Sequence, residues 1–372
     1  MTETTFFSWV GRLLDRRRGQ AQTAGRWPVL QVEVTSRCAQ DCAFCPNQAL
    51  ASYWLRDDLP WEVYRDHIGP HLARFELIYL QGWGEPLLHP HLWEMIGLAK
   101  TAGCRVGFTT CGELLDEENT GRLTDAGVDI LSISFAGATQ AVHESLRRGG
   151  HFRQLVANVE NLAVRKTNDR ANTPHLELHF LMMRPNLHEL PAFVRLAAGL
   201  AANEVVATNL TFTATPDLDA LAVFGPQPET AHLALVAEAE AEAQRLGLTF
   251  RAYPLVTNDN VLECDARPTE TAFINQTGAV APCVYLGMPV RGQVPRFVEG
   301  RACPLRPLSF GNVRDGLLAA WKGSPRRAFN RRLENRKAAG RSALLLAAVD
   351  GEAPTLPALP EACRCCPKSL GV

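Results

Sequence analysis

No apolar stretch of this 372-residue chain is long enough to cross a bilayer; the run Ser342-Ala-Leu-Leu-Leu-Ala-Ala-Val349 falls far short. An excess of charge of either sign is also missing. The 38 Lys and Arg against 39 Asp and Glu leave a formal net charge of -1, which gives no electrostatic reason to expect nucleic acid or an anionic membrane as partner. The N-terminal segment does not read as a secretory signal, because the aromatics Phe6, Phe7 and Trp9 precede Arg16, Arg17 and Arg18, the reverse of a signal peptide's order. A cytoplasmic, reducing location is the expectation. There, eleven cysteines do not form a disulfide framework, and metal or redox chemistry is the better reading.

The cysteines are unevenly placed. Cys38, Cys42 and Cys45 lie within eight residues at C-x3-C-x2-C spacing, Cys104 and Cys111 follow, and six fall at or after Cys264. Thiolates spaced as in the first group can cap three irons of a [4Fe–4S] cube and leave the fourth iron open. A structural zinc site normally closes with four ligands. Taken alone, the triplet also admits zinc or plain core cysteines.

From Trp27 to about Phe212, strand-like apolar runs at 29–34, 77–80, 106–109, 130–134, 176–182 and 205–212 alternate with helical periods. Leu92, Met95, Ile96 and Ala99 recur at helical spacing, as do Leu155, Val159 and Leu162. Alternation of this length predicts an α/β fold of parallel strands with helical crossovers, whose chemistry gathers at the C-terminal strand ends. The cysteine triplet stands at the end of the first strand. After the second comes Gly82-Trp83-Gly84-Glu85-Pro86, where two glycines allow close backbone approach and Glu85 offers an acceptor to an ammonium group. Thr109-Thr-Cys111 ends the third strand and Ser134 the fourth, with Arg147 and Arg148 one helix later.

In their order and spacing these motifs, over residues 27–215, resemble the radical S-adenosylmethionine (SAM) superfamily. The resemblance implies a partial (β/α)6 TIM-like barrel with Cys38, Cys42 and Cys45 as ligands of a [4Fe–4S] cluster. It also implies SAM contacts from Phe44, Gly82, Trp83, Gly84, Glu85, Ser134 and Arg147. SAM would be cleaved reductively to a 5′-deoxyadenosyl radical that takes hydrogen from a substrate. The sequence departs from the family's commoner forms at Cys111, where asparagine is usual, and at Phe135-Ala-Gly137. Cys111 reads as a small buried residue and not as a fourth ligand.

The second half resembles the SPASM or shorter twitch extension of that superfamily. By that resemblance Cys264, Cys283, Cys363 and Cys366 ligate a second, auxiliary [4Fe–4S] cluster in a small α+β domain, with Cys303 or Cys365 as possible replacements. A zinc site on the same four residues is compatible with the spacings. The expected divisions are an N-terminal helix and linker (1–24, with an amphipathic piece at 6–14), the barrel (25–250) and the auxiliary domain (251–372). Residues 337–360 read as a loop, and Arg326, Arg327, Arg331, Arg332 and Arg336 as a solvated helix face.

The short segment before the first strand favours a small-molecule substrate, oxidised or rearranged in a biosynthetic pathway. The alternative is a ribosomally made precursor peptide with a separate recognition partner. A reductant such as flavodoxin or ferredoxin is the expected electron donor. A reading of another class is a non-catalytic iron–sulfur or zinc protein. No acid or base for the substrate can be nominated from the sequence.

Overall fold

The computed structural model describes residues 26–350 and 356–372, with backbone alone for 342–350. The expected helix and linker at 1–24 therefore lie outside the described residues. Seven parallel strands form the frame: β1 (Trp27–Val32), β2 (Phe75–Leu80), β3 (Arg105–Thr110), β4 (Ile130–Phe135), β5 (His175–Met182), β6 (Glu204–Asn209) and β7 (Thr249–Ala252). Between them run α1 (Leu92–Thr101), α2 (Glu117–Asp125), α3 (Gln140–Leu146), α4 (Phe152–Asn168), α5 (Leu190–Gly199) and α6 (Thr230–Leu246). Helix starts follow local capping: Asp116 accepts from the Asn119 N–H at the head of α2, and Thr139 from the Val142 N–H at the head of α3.

Strand alternation divides the sheet into two faces. Leu30, Val32, Ile78, Leu80, Phe108, Leu131, Ile133, Leu178 and Phe180 belong to one buried cluster with Met95, Ile96, Leu155 and Val159 of the helices. The opposite face is polar. Tyr79 Oη meets Thr109 Oγ1 at 3.1 Å and Ser132 Oγ at 2.8 Å, and Ser132 Oγ lies 2.9 Å from Glu177 Oε2. The strand runs that read as apolar are thus half polar, and the polar half faces the barrel interior.

Three further strands extend the sheet. β8 (Thr271–Ile274) pairs in parallel with β1, β9 (Ala279–Ala281) pairs antiparallel with β8, and β12 (Gly311–Asn312) closes the row. A separate ribbon is made by β10 (Phe297–Val298) and β11 (Arg301–Ala302). The order β12-β9-β8-β1-β2-β3-β4-β5-β6-β7 leaves β7 and β12 as unjoined edges, so the barrel is partial. The six-stranded expectation gains β7, a four-residue strand too short to carry its own period. The C-terminal hairpin continues the barrel's own sheet.

Two readings need correction. Helix α7 (Leu317–Lys322) leads into α8 (Ser324–Asp350), which runs through most of the segment read as a loop. Its Ala, Leu, Lys and Arg residues are good helix formers, Pro325 sits in its first turn where proline is tolerated, and the next prolines come only after its end. Of its arginines, Arg327, Arg331 and Arg332 are exposed as expected, but Arg326 and Arg336 are not. Arg326 lies 3.8 Å over the Trp321 ring and donates to the Thr269 carbonyl, while buried Arg336 donates to the carbonyls of Asp259, Val261 and Pro357. Guanidinium groups here satisfy loop carbonyls that helix α8 covers.

Candidate functional site

The loop after β1 is held from two sides. The Asp41 and Ala43 N–H groups donate to the carbonyls of Arg148 and Leu146 at the end of α3. Gln40 bridges Glu113 and Arg147, its Nε2 lying 2.8 Å from Glu113 Oε1 and its Oε1 accepting from Arg147 Nη1 at 3.1 Å. The tight turn Cys42–Cys45 then brings the triplet together: Cys45 feels the charge of Cys42 and Cys38, and Cys38 that of Cys42. Burial pushes Cys38 up to about 11 and Cys45 up to about 12, and raises Cys42, with Arg147 opposing the shift in all three.

The turn after β2 is fixed by close packing. A Cβ on Gly84 would stand 2.3 Å from the Thr35 carbonyl oxygen and 2.6 Å from that of Arg37, and one on Gly82 would collide with the Glu33 side chain. Glu33 is fully buried and accepts from the Trp83 N–H at 2.8 Å and the Gln276 N–H at 3.4 Å; burial lifts its carboxyl to about 8. Glu85 differs from the expectation. Its carboxylate accepts from Thr110 Oγ1 and the Cys111 and Leu87 N–H groups, and burial raises its pKa. It ties β2 to β3 and does not line the cavity beside the triplet. Gly84 does not line it either. Cys111 feels both Glu85 and Cys38, and its thiol hydrogen-bonds Glu85.

That cavity, of about 300 Å³, opens at the C-terminal strand ends. Phe44, Cys45, Gly82, Trp83, Ser134 and Arg147 line it, so five of the seven residues expected to meet SAM converge there. Sequence reasoning missed several others. His179 of β5 reaches the cavity with its Nε2 3.2 Å from buried Glu177. The alternation His175-Leu-Glu177-Leu-His179 was the available signal, since period-two polar residues in a strand share a face. The far wall comes from the C-terminal region: Asp265, Val284, Tyr285 and Lys368, with Lys368 Nζ 3.2 Å from Asp265 and 3.7 Å over the Tyr253 ring.

A second, smaller cavity is lined by Cys264, Cys283, Cys363 and Cys366 together, and Tyr285 and Lys368 face both cavities. Burial drives these four thiols up, Cys283 to about 12. Cys303 and Cys365 do not join them; their thiols hydrogen-bond to each other. Both cysteine groups supply the donors that an iron–sulfur cluster takes, and binding one would release the protons that burial holds on these thiols. Tetrahedral zinc at about 2.3 Å from each ligand draws sulfurs to about 3.8 Å of one another. Among the described residues, no three cysteine sulfurs all lie within 4.8 Å. That spacing is wider than a tetrahedral zinc site's.

Comparison with known proteins agrees with this geometry. The family model of the Radical SAM superfamily matches residues 32–196, and that of the SPASM iron–sulfur cluster-binding domain matches 264–343. The chain is 25% identical over 296 residues to the tungsten-containing aldehyde ferredoxin oxidoreductase cofactor-modifying protein of Pyrococcus furiosus, covering 78% of this chain and 79% of that one. It is 26% identical over 201 residues to PqqA peptide cyclase of Bradyrhizobium diazoefficiens and 30% over 168 to mycofactocin maturase MftC of Mycobacterium ulcerans. It spans only 51% and 42% of those two relatives, against 54% and 44% of its own length. In fold it is similar to Streptococcus suis SuiB bound to SAM, with a TM-score of 0.57 at 12% identity, covering 84% of this chain and 69% of that structure. Its cofactors are SAM, a SAM-binding [4Fe–4S] cluster and an auxiliary [4Fe–4S] cluster. The chain belongs to the radical SAM superfamily and carries a C-terminal SPASM-type iron–sulfur cluster-binding domain.

Proposed function

We propose that Cys38, Cys42 and Cys45 hold the SAM-binding cluster and that Cys264, Cys283, Cys363 and Cys366 hold one auxiliary cluster. The observation carrying this reading is a shared wall: Tyr285 and Lys368 separate a cavity beside the first cysteine set from the cavity lined by the second. When bound, the first cluster and SAM supply one-electron cleavage to methionine and a 5′-deoxyadenosyl radical, which takes a hydrogen atom from substrate.

The chain's own residues orient and enclose. Arg147 puts a cationic side chain, 9% exposed, against the cavity, suited to a carboxylate. Ser134 offers a hydroxyl for a ribose, and Gly82 lines the cavity with backbone alone. Phe44, Trp83, Phe212 and Tyr285 wall the space with rings that exclude water. An electron passed from a substrate radical to the auxiliary cluster across the wall suits net oxidation.

About 300 Å³ is at the small end for a ligand pocket, so only a compact group sits beside SAM. A small molecule or cofactor precursor meets that limit. One side chain of a peptide meets it equally, and one relative, PqqA peptide cyclase, favours this second reading. Anaerobic incubation of reduced, reconstituted protein with SAM tests the shared chemistry by the appearance of 5′-deoxyadenosine. Deuterated candidate substrates, small molecules and short peptides, then separate the readings by which one delivers deuterium to that product.

A further inference from the structure

Trp83 touches both halves of the protein. Its backbone belongs to the turn at the cavity rim, where Glu33 Oε1 takes its N–H at 2.8 Å. Its indole Nε1 donates to the Val284 carbonyl at 3.1 Å, more than two hundred residues away in the chain and adjacent to Cys283. The ring is boxed by edge-on contacts to Tyr285 (5.7 Å), Phe212 (6.2 Å) and Trp54 (6.3 Å). The loop that carries Val284 is itself a closed turn, the Gly287 N–H donating to the Cys283 carbonyl at 2.8 Å.

We infer that Trp83 is a positioning residue through which the auxiliary cluster sets the shape of the SAM turn. The proposal rests on the cofactor assignment above. A cluster holding Cys283 fixes the Val284 carbonyl, and that carbonyl fixes the indole. The backbone of residues 82–85 has little room to compensate, because Gly84 already abuts two carbonyls of the β1 loop. With Cys283 released, the 283–287 turn keeps its hydrogen bonds from Asn275 and Leu308 near Gly287 but loses the tie beside Val284, and the rim of the SAM site loosens. Such coupling is reciprocal: SAM must also stabilise the auxiliary site.

The test uses four full-length proteins, reconstituted anaerobically with iron counted: wild type, Trp83→Phe, Cys366→Ser and the double variant. SAM affinity is read by calorimetry and by the SAM-induced change in the EPR spectrum of the reduced cluster. Cys366→Ser is expected to weaken SAM binding about 5- to 10-fold when Trp83 is present and less than about 2-fold in the W83F background, a coupling within the usual range for linked sites. If W83F loses iron, Trp83→Tyr replaces it with the same expectation. Equal weakening in both backgrounds, or none with Trp83 present, overturns the coupling. Failure of the wild type to bind SAM at all contradicts the cofactor assignment itself, and the coupling falls with it.

Discussion

Glu85 and Thr110 meet across the ends of β2 and β3: Thr110 Oγ1 donates to Glu85 Oε1 at 2.7 Å, and the next residue's N–H donates to Oε2 at the same distance. A carboxylate with three protein donors, 3% exposed, is committed to holding the turn and does not reach the cavity. Glu85→Gln places an amide N–H₂ against one of those donors, at a cost of about 1–3 kcal/mol. Calorimetry on SAM-free protein should show melting lowered by several degrees. An unchanged melt with SAM affinity lost would mean that Glu85 contacts SAM directly.

Gly84 leaves no room for a side chain. The Cβ of Gly84→Ala would overlap two backbone carbonyl oxygens, which cannot move aside as a flexible side chain can. Expected is a loss of about 1–3 kcal/mol or more from overpacking, together with loss of SAM binding, read by melting and calorimetry. Wild-type melting in G84A would contradict the packing.

Glu33 carries a pH signature. Its carboxyl is raised to about 8 by burial, so the native state binds more protons than the unfolded state between the ordinary carboxyl range and pH 8. The stability it contributes is fully present below its unfolded pKa and is lost as pH rises through 8. The limiting slope is about 1.4 kcal/mol per pH unit. Denaturant titrations of wild type and Glu33→Gln from pH 5 to 9 should therefore converge or cross as pH rises, the wild type losing more. Parallel pH profiles would count against a protonated Glu33.

The C-terminal cysteines sort by the cavity they line. Cys366→Ser should lower iron from about eight to about four per chain, whereas Cys365→Ser or Cys303→Ser should leave it near eight. Iron loss in C365S with retention in C366S would reassign the ligand.

Much of this was legible in the sequence because it is encoded locally. The cysteine triplet, the Gly82–Glu85 turn and the six longer strands are set by spacing and period within a few residues. What escaped is set by tertiary contact. That Glu85 turns toward Thr110, and that Cys365 pairs with Cys303 while its neighbour Cys366 joins the other cavity, depends on side-chain direction. The polar barrel lining was visible as alternation in Ile-Leu-Ser132-Ile-Ser134-Phe, yet the apolar half dominated the reading. Strand β7 and the pairing of β8 with β1 carry no signature of their own; the partners across the sheet decide them.

The most direct test is the reductive cleavage of SAM itself. Anaerobically reconstituted protein, with iron confirmed, is reduced with dithionite, mixed with SAM and assayed for 5′-deoxyadenosine and methionine. Both products should form in the wild type and disappear with Cys38→Ala, Cys42→Ala or Cys45→Ala, while Cys104→Ala retains them. Cluster-loaded, reduced wild type that leaves SAM intact, or undiminished product from the triplet variants, would contradict the account.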